Sequence, residues 1–346
     1  MRLHTKRWWV DMEIVKRPHV QNFIDWSKDK PEVIVLTADL TNSSEVGNWR
    51  DTYPDRFFPM KMAEQNMMGF AAGLAREGYQ PWIHTFAVFI YRRPFDQMAM
   101  SIAYPNLPVR FVGFLPGLTT PGGVTHQAIE DLSVMRATPN MTILETGDAT
   151  EVESVLDVAH AVDGPVYIRM LRGEVPRLFP KSDPMELDRV RVLSEGDDVT
   201  VFTSGITTEE AMRASAPLAA AGVGMTHVHV STHKPFADPL ILELIKRAKH
   251  GVVTLENHTI IGGLGSAVAE VMAENAIGKR LVRLGLQDTY AHGASRQYLM
   301  REYGLDALAL VGGIEKLLDR PTGVSEADLE AVRIEAMHST AKAEAL

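Results

Sequence analysis

One pattern constrains the fold of this chain more than any other. Short β-branched runs alternate with amphipathic helical segments, stop at a stretch rich in proline and charge, and then start again. VIVLTADL (Val33–Leu40) reads as a strand running into a loop. EQNMMGFAAGLAREG (Glu64–Gly78) repeats Met67, Met68, Ala71, Leu74 and Ala75 at helical spacing, and Gly78 can stop the helix. PWIHTFAVFI, VRFVGFL, TPNMTILE and PVYIRMLRG are further β-prone runs. DATEVESVLDVAHAVDG between them is a clear helix, with Asp148 or Thr150 as its cap. Strand, helix and strand in this order predict a mostly parallel sheet covered by helices on both faces. The break falls at GEVPRLFPKSDPMELDRVRVLSEGDD (Gly173–Asp198), which reads as a linker. The pattern resumes with VTVFTSG and runs through VVTLENH to LVRLGL. The tail from residue 299 reads as helical, best in GVSEADLEAVRIEA (Gly323–Ala336), with a frayed AKAEAL end. The expectation is an α/β protein of two mostly parallel-sheet domains, residues 10–180 and 196–335, joined by a linker at 181–195.

Composition then excludes several classes of function. The net charge of −9 offers no general attraction for a nucleic-acid backbone, so no nucleic-acid partner is expected. With no cysteine there is no disulfide, thiolate metal site or thiol nucleophile. No apolar run approaches the roughly 18 residues of a membrane span, and none at the N-terminus suits a signal peptide. A cytoplasmic enzyme, or a subunit of one, is the expectation.

Several residues can carry chemistry, each beside a plainer role. Glu64 opens a helix, where it either complements the helix dipole or is a buried carboxyl able to donate to a ring nitrogen. Phe86 and Phe89, beside His84 in HTFAVF, are either core or a surface on which a flat heterocycle stacks. His126 follows a glycine turn in PGGVTHQAIED and either titrates near neutrality or satisfies the loop. Arg169 and Arg172 in YIRMLRG suit a phosphate or ion pairs. GGLGSAV (Gly262–Val268) is only a loose dinucleotide turn, and no phosphate-loop motif exists. His227, His229 and His233 in HVHVSTH leave a zinc site open, without a clear third ligand set.

Taken together, TADLTNSSE, AEQNMMGFAAGLA, HTFAVFIYR, GGVTHQAIEDLSVMRATPNM, GPVYIRMLRG and TLENHTIIGGLGSAVAE resemble the C-terminal half of transketolase over almost the whole chain. The THQAIED run is the most specific part. The resemblance implies a pyrimidine-binding domain of the thiamine diphosphate fold followed by the family's C-terminal domain. It implies transfer of a two-carbon ketol unit from a ketose, expected to be phosphorylated, to an aldose. The family grips the diphosphate and Mg²⁺ through a GDG motif and a later asparagine, and no such run exists here. The implied protein is therefore one subunit of a split transketolase. A separate N-terminal subunit would supply the diphosphate and Mg²⁺ site, with two copies of each chain and no metal ligand from this one.

Roles carry over where residues match. Glu64 resembles the activating glutamate that contacts the aminopyrimidine. Phe89, with Phe86 close by, resembles the ring packed on it, and Asp39 and Leu40 the loop that supports the cofactor. His126 resembles the histidine that hydrogen-bonds the donor sugar. Arg172, Ser43 and Arg17 resemble phosphate contacts. Two positions depart from the family: Gly122 replaces an acid that reads a sugar hydroxyl, leaving room, and Phe114 replaces a phosphate-pocket histidine. A branched or otherwise unusual ketose becomes plausible. The competing readings are a β subunit of a 2-oxo acid dehydrogenase, a deoxyxylulose-phosphate-synthase-like enzyme, and a non-catalytic structural partner.

Overall fold

The computed structural model describes residues 12–332. The strands are β1 (Ile14–Lys16), β2 (Val33–Thr37), β3 (Phe57–Pro59), β4 (Gln80–Phe86), β5 (Arg110–Phe114), β6 (Thr142–Glu145), β7 (Val166–Met170), β8 (Glu174–Pro176), β9 (Arg191–Ser194), β10 (Val199–Thr203), β11 (Met225–His229), β12 (Thr232–Lys234), β13 (Gly251–Thr259) and β14 (Leu281–Leu286). Two of the sheets are large. The first runs β12-β6-β7-β5-β4-β2-β3 and the second β14-β13-β10-β11-β9. Each is parallel except at one edge, where β12 and β9 run antiparallel to their neighbours. The α/β architecture with mostly parallel sheets matches the expectation.

The central strands are mostly apolar because helices cover both faces. In the first sheet, β2, β5 and β7 are buried at every residue. The helix Glu64–Arg76 buries Met67, Met68, Ala71, Ala72 and Ala75, and each buried methionine contributes about 1.5–3 kcal/mol. The helix Ala149–Ala161 starts at Asp148, whose side chain accepts from the backbone N–H of Glu151 at 2.8 Å.

Two expectations change. Residues 191–194, placed in the linker, form β9 at the edge of the second sheet. Further along, the loop after β11 supplies β12 to the first sheet. The chain thus returns to its first half after entering its second. Backbone pairing across sheets leaves no trace in a periodicity read one element at a time. The C-terminal helix spans Glu326–Glu330, and the AKAEAL end lies outside the described residues.

The seam between the sheets is held by buried charge. Arg169 on β7 is fully buried. It donates to Asp131 at 2.9 Å, to Glu145 on β6 at 2.5 Å and to the Asn257 carbonyl on β13 at 2.9 Å. Glu145 also meets His233 Nε2 at 2.7 Å. Burial alone would raise the Glu145 carboxyl, but Arg169 and His233 outweigh it and hold the group at about 2. The other two histidines of HVHVSTH are occupied as well. His227 meets Thr203 at 2.8 Å, and His229 bridges Thr208 and Glu151 at 2.6 and 2.9 Å. Among the described residues no group of three or more His, Asp or Glu side chains is set to hold a metal ion. No helix there is long and apolar enough to cross a membrane.

Removing Arg169 would leave two carboxylates buried without their cation. Arg169→Met is expected to cost about 3–5 kcal/mol of unfolding free energy in a urea titration. A cost below about 1 kcal/mol would show that the seam does not depend on this group.

Candidate functional site at the strand ends

Strands β2, β4, β5 and β7 are parallel neighbours, so their C-terminal ends share one edge. In such sheets ligands bind beyond that edge. Asp39–Ser43 follow β2, Phe86–Phe89 close β4, the PGGVTHQ loop follows β5, and Arg172 follows β7. Glu64 opens the helix that follows β3.

The contacts run continuously through most of these residues. Glu64 is 4% exposed, and its Oε1 accepts from Arg93 Nη1 at 2.5 Å. The Arg93 guanidinium lies 4.2 Å from the centroid of the Phe89 ring. Phe89 stacks on Phe86 at 6.0 Å. The His126 ring stands edge-on to both, 5.6 Å from Phe89 and 6.1 Å from Phe86. Arg172 lies over Phe86 at 5.7 Å and donates to the Ser43 carbonyl. Arg17 approaches from the turn before the first helix, 3.5 Å from the Asn42 carbonyl and 3.4 Å from Glu45. Asp39 sits at the other end of its loop with a left-handed backbone, 3.5 Å from Lys61, and Leu40 beside it is buried. These two share the strand edge.

Local chain geometry sets these positions. Phe86 ends β4 and starts a short helix, Ala87–Tyr91, so Phe86 and Phe89 lie three apart on adjoining strand and helix and face each other. Pro94 follows, and Arg92 and Arg93 occupy the turn before it. Arg92 clamps the histidine loop. It holds Glu130 at 2.7 and 2.8 Å and the carbonyls of Val124 and Gln127 at 2.9 and 3.2 Å. Burial would raise Glu130, but Arg92 outweighs it and keeps this carboxyl below its usual range. The other end of the loop is tied to the second sheet. Asn257 accepts from Leu118 N at 2.8 Å and donates to the Pro116 carbonyl at 2.9 Å. Gly117 takes a left-handed backbone there, and a Cβ on it would lie 2.3 Å from Asn257.

Four contributors escaped the sequence reading: Arg92, Arg93, Glu45 and Asn257. The YRRP run after the aromatic pair marks the two arginines. Glu45 and Asn257 lie within the TADLTNSSE and TLENH runs, but each matters through a partner more than a hundred residues away. One expectation about departures also needs correcting. Gly122 does not leave room, because a Cβ there would lie 3.0 Å from His126 Cβ and Cγ. Phe114 ends β5, fully buried against His19 at 5.6 Å. His19 and His84 meet at 3.1 Å beside it. The His84 Nδ1–H points to the Trp82 carbonyl at 3.3 Å, so His19 is the donor of that pair. Burial pushes His84 down to about 3, keeping it neutral.

The family model for the transketolase pyrimidine binding domain matches residues 21–177, and that for the transketolase C-terminal domain matches residues 188–310. The chain belongs to the transketolase family. It is 40% identical over 289 residues to an uncharacterised transketolase family protein of Sinorhizobium fredii, covering 83% of this chain and 84% of that protein. It is 37% identical over 303 residues to a 6-deoxy-6-sulfo-D-fructose transketolase subunit of Clostridium sp., covering 87% and 94%. The solved structure of a split gene transketolase, described as an inactive β4 tetramer, is similar with a TM-score of 0.80 and 38% identity. That match covers 87% of this chain and 97% of the other. Membership implies thiamine diphosphate dependence, and transketolase-family proteins are transferases.

The approach at Gly122 gives a direct check. Restoring an acid by Gly122→Asp must displace the His126 ring by some tenths of an ångström. The expected result is a fall in kcat/KM of about tenfold or more, with little change in Tm. Unchanged kcat/KM would mean that the turn does not set the ring's position.

Proposed function

We propose that this chain is the pyrimidine-side subunit of a split transketolase. It transfers a two-carbon ketol unit from a ketose with an anionic terminal group to an aldose. A separate chain binds the diphosphate and Mg²⁺, with two copies of each subunit. The observation that carries this reading is the Glu64–Arg93–Phe89 contact. A flat guanidinium rests on the aromatic ring while its N–H donates to a buried carboxylate. An aminopyrimidine ring presents the same two features, a flat face and a nitrogen that needs a carboxyl partner, so these residues fit the cofactor.

Thiamine diphosphate, when bound, supplies a nucleophilic thiazolium carbon and an electron sink. The protein does the rest. Phe86 and Phe89 orient the flat ring. Glu64 exchanges a proton at Oε1, the atom that Arg93 occupies here, so Arg93 must give way as the ring enters. His126 has its Nδ1 beside Thr125 Oγ1 at 2.8 Å, which leaves Nε2 to hydrogen-bond the donor sugar and move its proton. Arg17, Ser43 and Arg172 hold the far, anionic end of the donor. Asp39 and Leu40 support the cofactor from their loop.

A partner is supported by the surface beside Glu64. On the outer side of its helix, Phe70 is exposed, and a methyl group added at Gly69 or Gly73 would meet nothing within 4 Å. Met62, Phe95, Met100 and Tyr104 are also exposed, at 71%, 42%, 57% and 76%. So many exposed apolar side chains suit burial against another chain.

The deciding assay mixes this chain with its partner subunit and a ketose–aldose pair. Ketol transfer without CO₂ release is the expected outcome, whereas lipoamide-dependent CO₂ release would show a 2-oxo acid dehydrogenase. In the same complex Glu64→Gln should lower kcat by about 10²–10⁴-fold while sedimentation shows intact assembly. Near-normal turnover would remove Glu64 from its role and leave a structural subunit as the better account.

A further inference from the structure

The anion end of the proposed site contains a carboxylate as well as arginines. Glu45 lies on the loop after β2 in a left-handed backbone conformation and is 4% exposed. Its Oε1 accepts from the Gly173 backbone N–H at 3.0 Å and lies 3.4 Å from Arg17 Nε. Its Oε2 is buried and has no hydrogen-bond partner among the described residues. Both Arg17 and Arg172 act on this carboxylate electrostatically. The backbone links the groups too, since Arg17 N donates to the Gly173 carbonyl at 2.6 Å.

Two guanidinium charges and one carboxylate leave this end of the site with a single net positive charge. A phosphate dianion placed there would exceed that charge and would bring a second negative charge toward the buried Oε2. A singly charged head is balanced by the pair of arginines after Glu45 is counted. We propose that Glu45 makes this end of the site select a ketose with a singly charged terminal group over one ending in a phosphate dianion. The inference rests on the reading of Arg17, Ser43 and Arg172 as the donor's anion subsite. Burial pushes the Glu45 carboxyl above its usual range, and Gly173, Arg17 and Arg172 limit that rise. Its neighbour Glu174 points to Lys16 at 3.8 Å, so that second acid is balanced by its own cation.

The test uses the full-length chain assembled with its partner. Methanesulfonate, a monoanion, and methyl phosphate, a dianion at about pH 8, are titrated in separate NMR experiments. Wild type is expected to bind methanesulfonate about tenfold more tightly than methyl phosphate, because one extra charge near a buried carboxylate is worth at least that factor. Glu45→Gln should erase or invert this preference, chiefly by tightening methyl phosphate. Glu45→Asp, which keeps the charge, should retain the preference and so separates charge from packing. Equal effects of Glu45→Gln on both anions, or a wild-type preference for methyl phosphate, would overturn the inference while leaving the subsite in place. If Arg172→Ala leaves the binding of both anions unchanged, the subsite reading itself falls, and this inference with it.

Discussion

The structure depends on one buried cation. Arg169 rises from the middle of the first sheet into the seam with the second and meets Asp131, Glu145 and the Asn257 carbonyl there. A charge fully out of water is tolerable only when every donor finds an acceptor of good geometry. That requirement fixes β6, β7, β13 and the start of the Asp131–Ala137 helix relative to one another. His258 extends the lock. Its Nε2 accepts from Leu132 N at 3.1 Å, and Nδ1 faces the Thr259 carbonyl at 2.6 Å, so the ring is neutral and oriented. Burial holds it at about 4.

The candidate site inherits its precision from this seam. The loop carrying His126 starts at Asn257 contacts and ends at Asp131, both partners in the Arg169 network. Between those anchors Arg92 grips the loop through two carbonyls and Glu130. His126 is therefore held against Phe86 and Phe89 by elements of both sheets. A reactive group set on a loop but anchored at both ends combines access to ligand with a fixed position.

Much of this was legible in the sequence. The alternation of short β-branched runs and helical segments identified two mostly parallel sheets, because strands covered on both faces are mostly apolar. Glu64, Phe86, Phe89, His126, Ser43, Arg172 and Arg17 carried motif signals, and the structure brings them to one strand edge. Arg93 was not singled out because an arginine in a turn is usually solvated. Gly122 was misread as open space, since a missing side chain looks the same in a sequence whether the gap is empty or filled by a neighbouring histidine. The three alternating histidines of HVHVSTH hinted at metal, yet each found its own polar partner in the interior.

The sequence by itself determined the layer architecture, the family and the residue types at the strand ends, because periodicity and short motifs are properties of neighbours along the chain. Only the tertiary structure decided that β12 joins the first sheet, that Arg169 is a buried lock while Arg172 three residues later lies over Phe86, and that Glu45 sits beside Arg17 and Gly173. Each of those outcomes depends on charges and hydrogen-bonding groups meeting across more than twenty residues of chain, where burial rather than local pattern sets the energy.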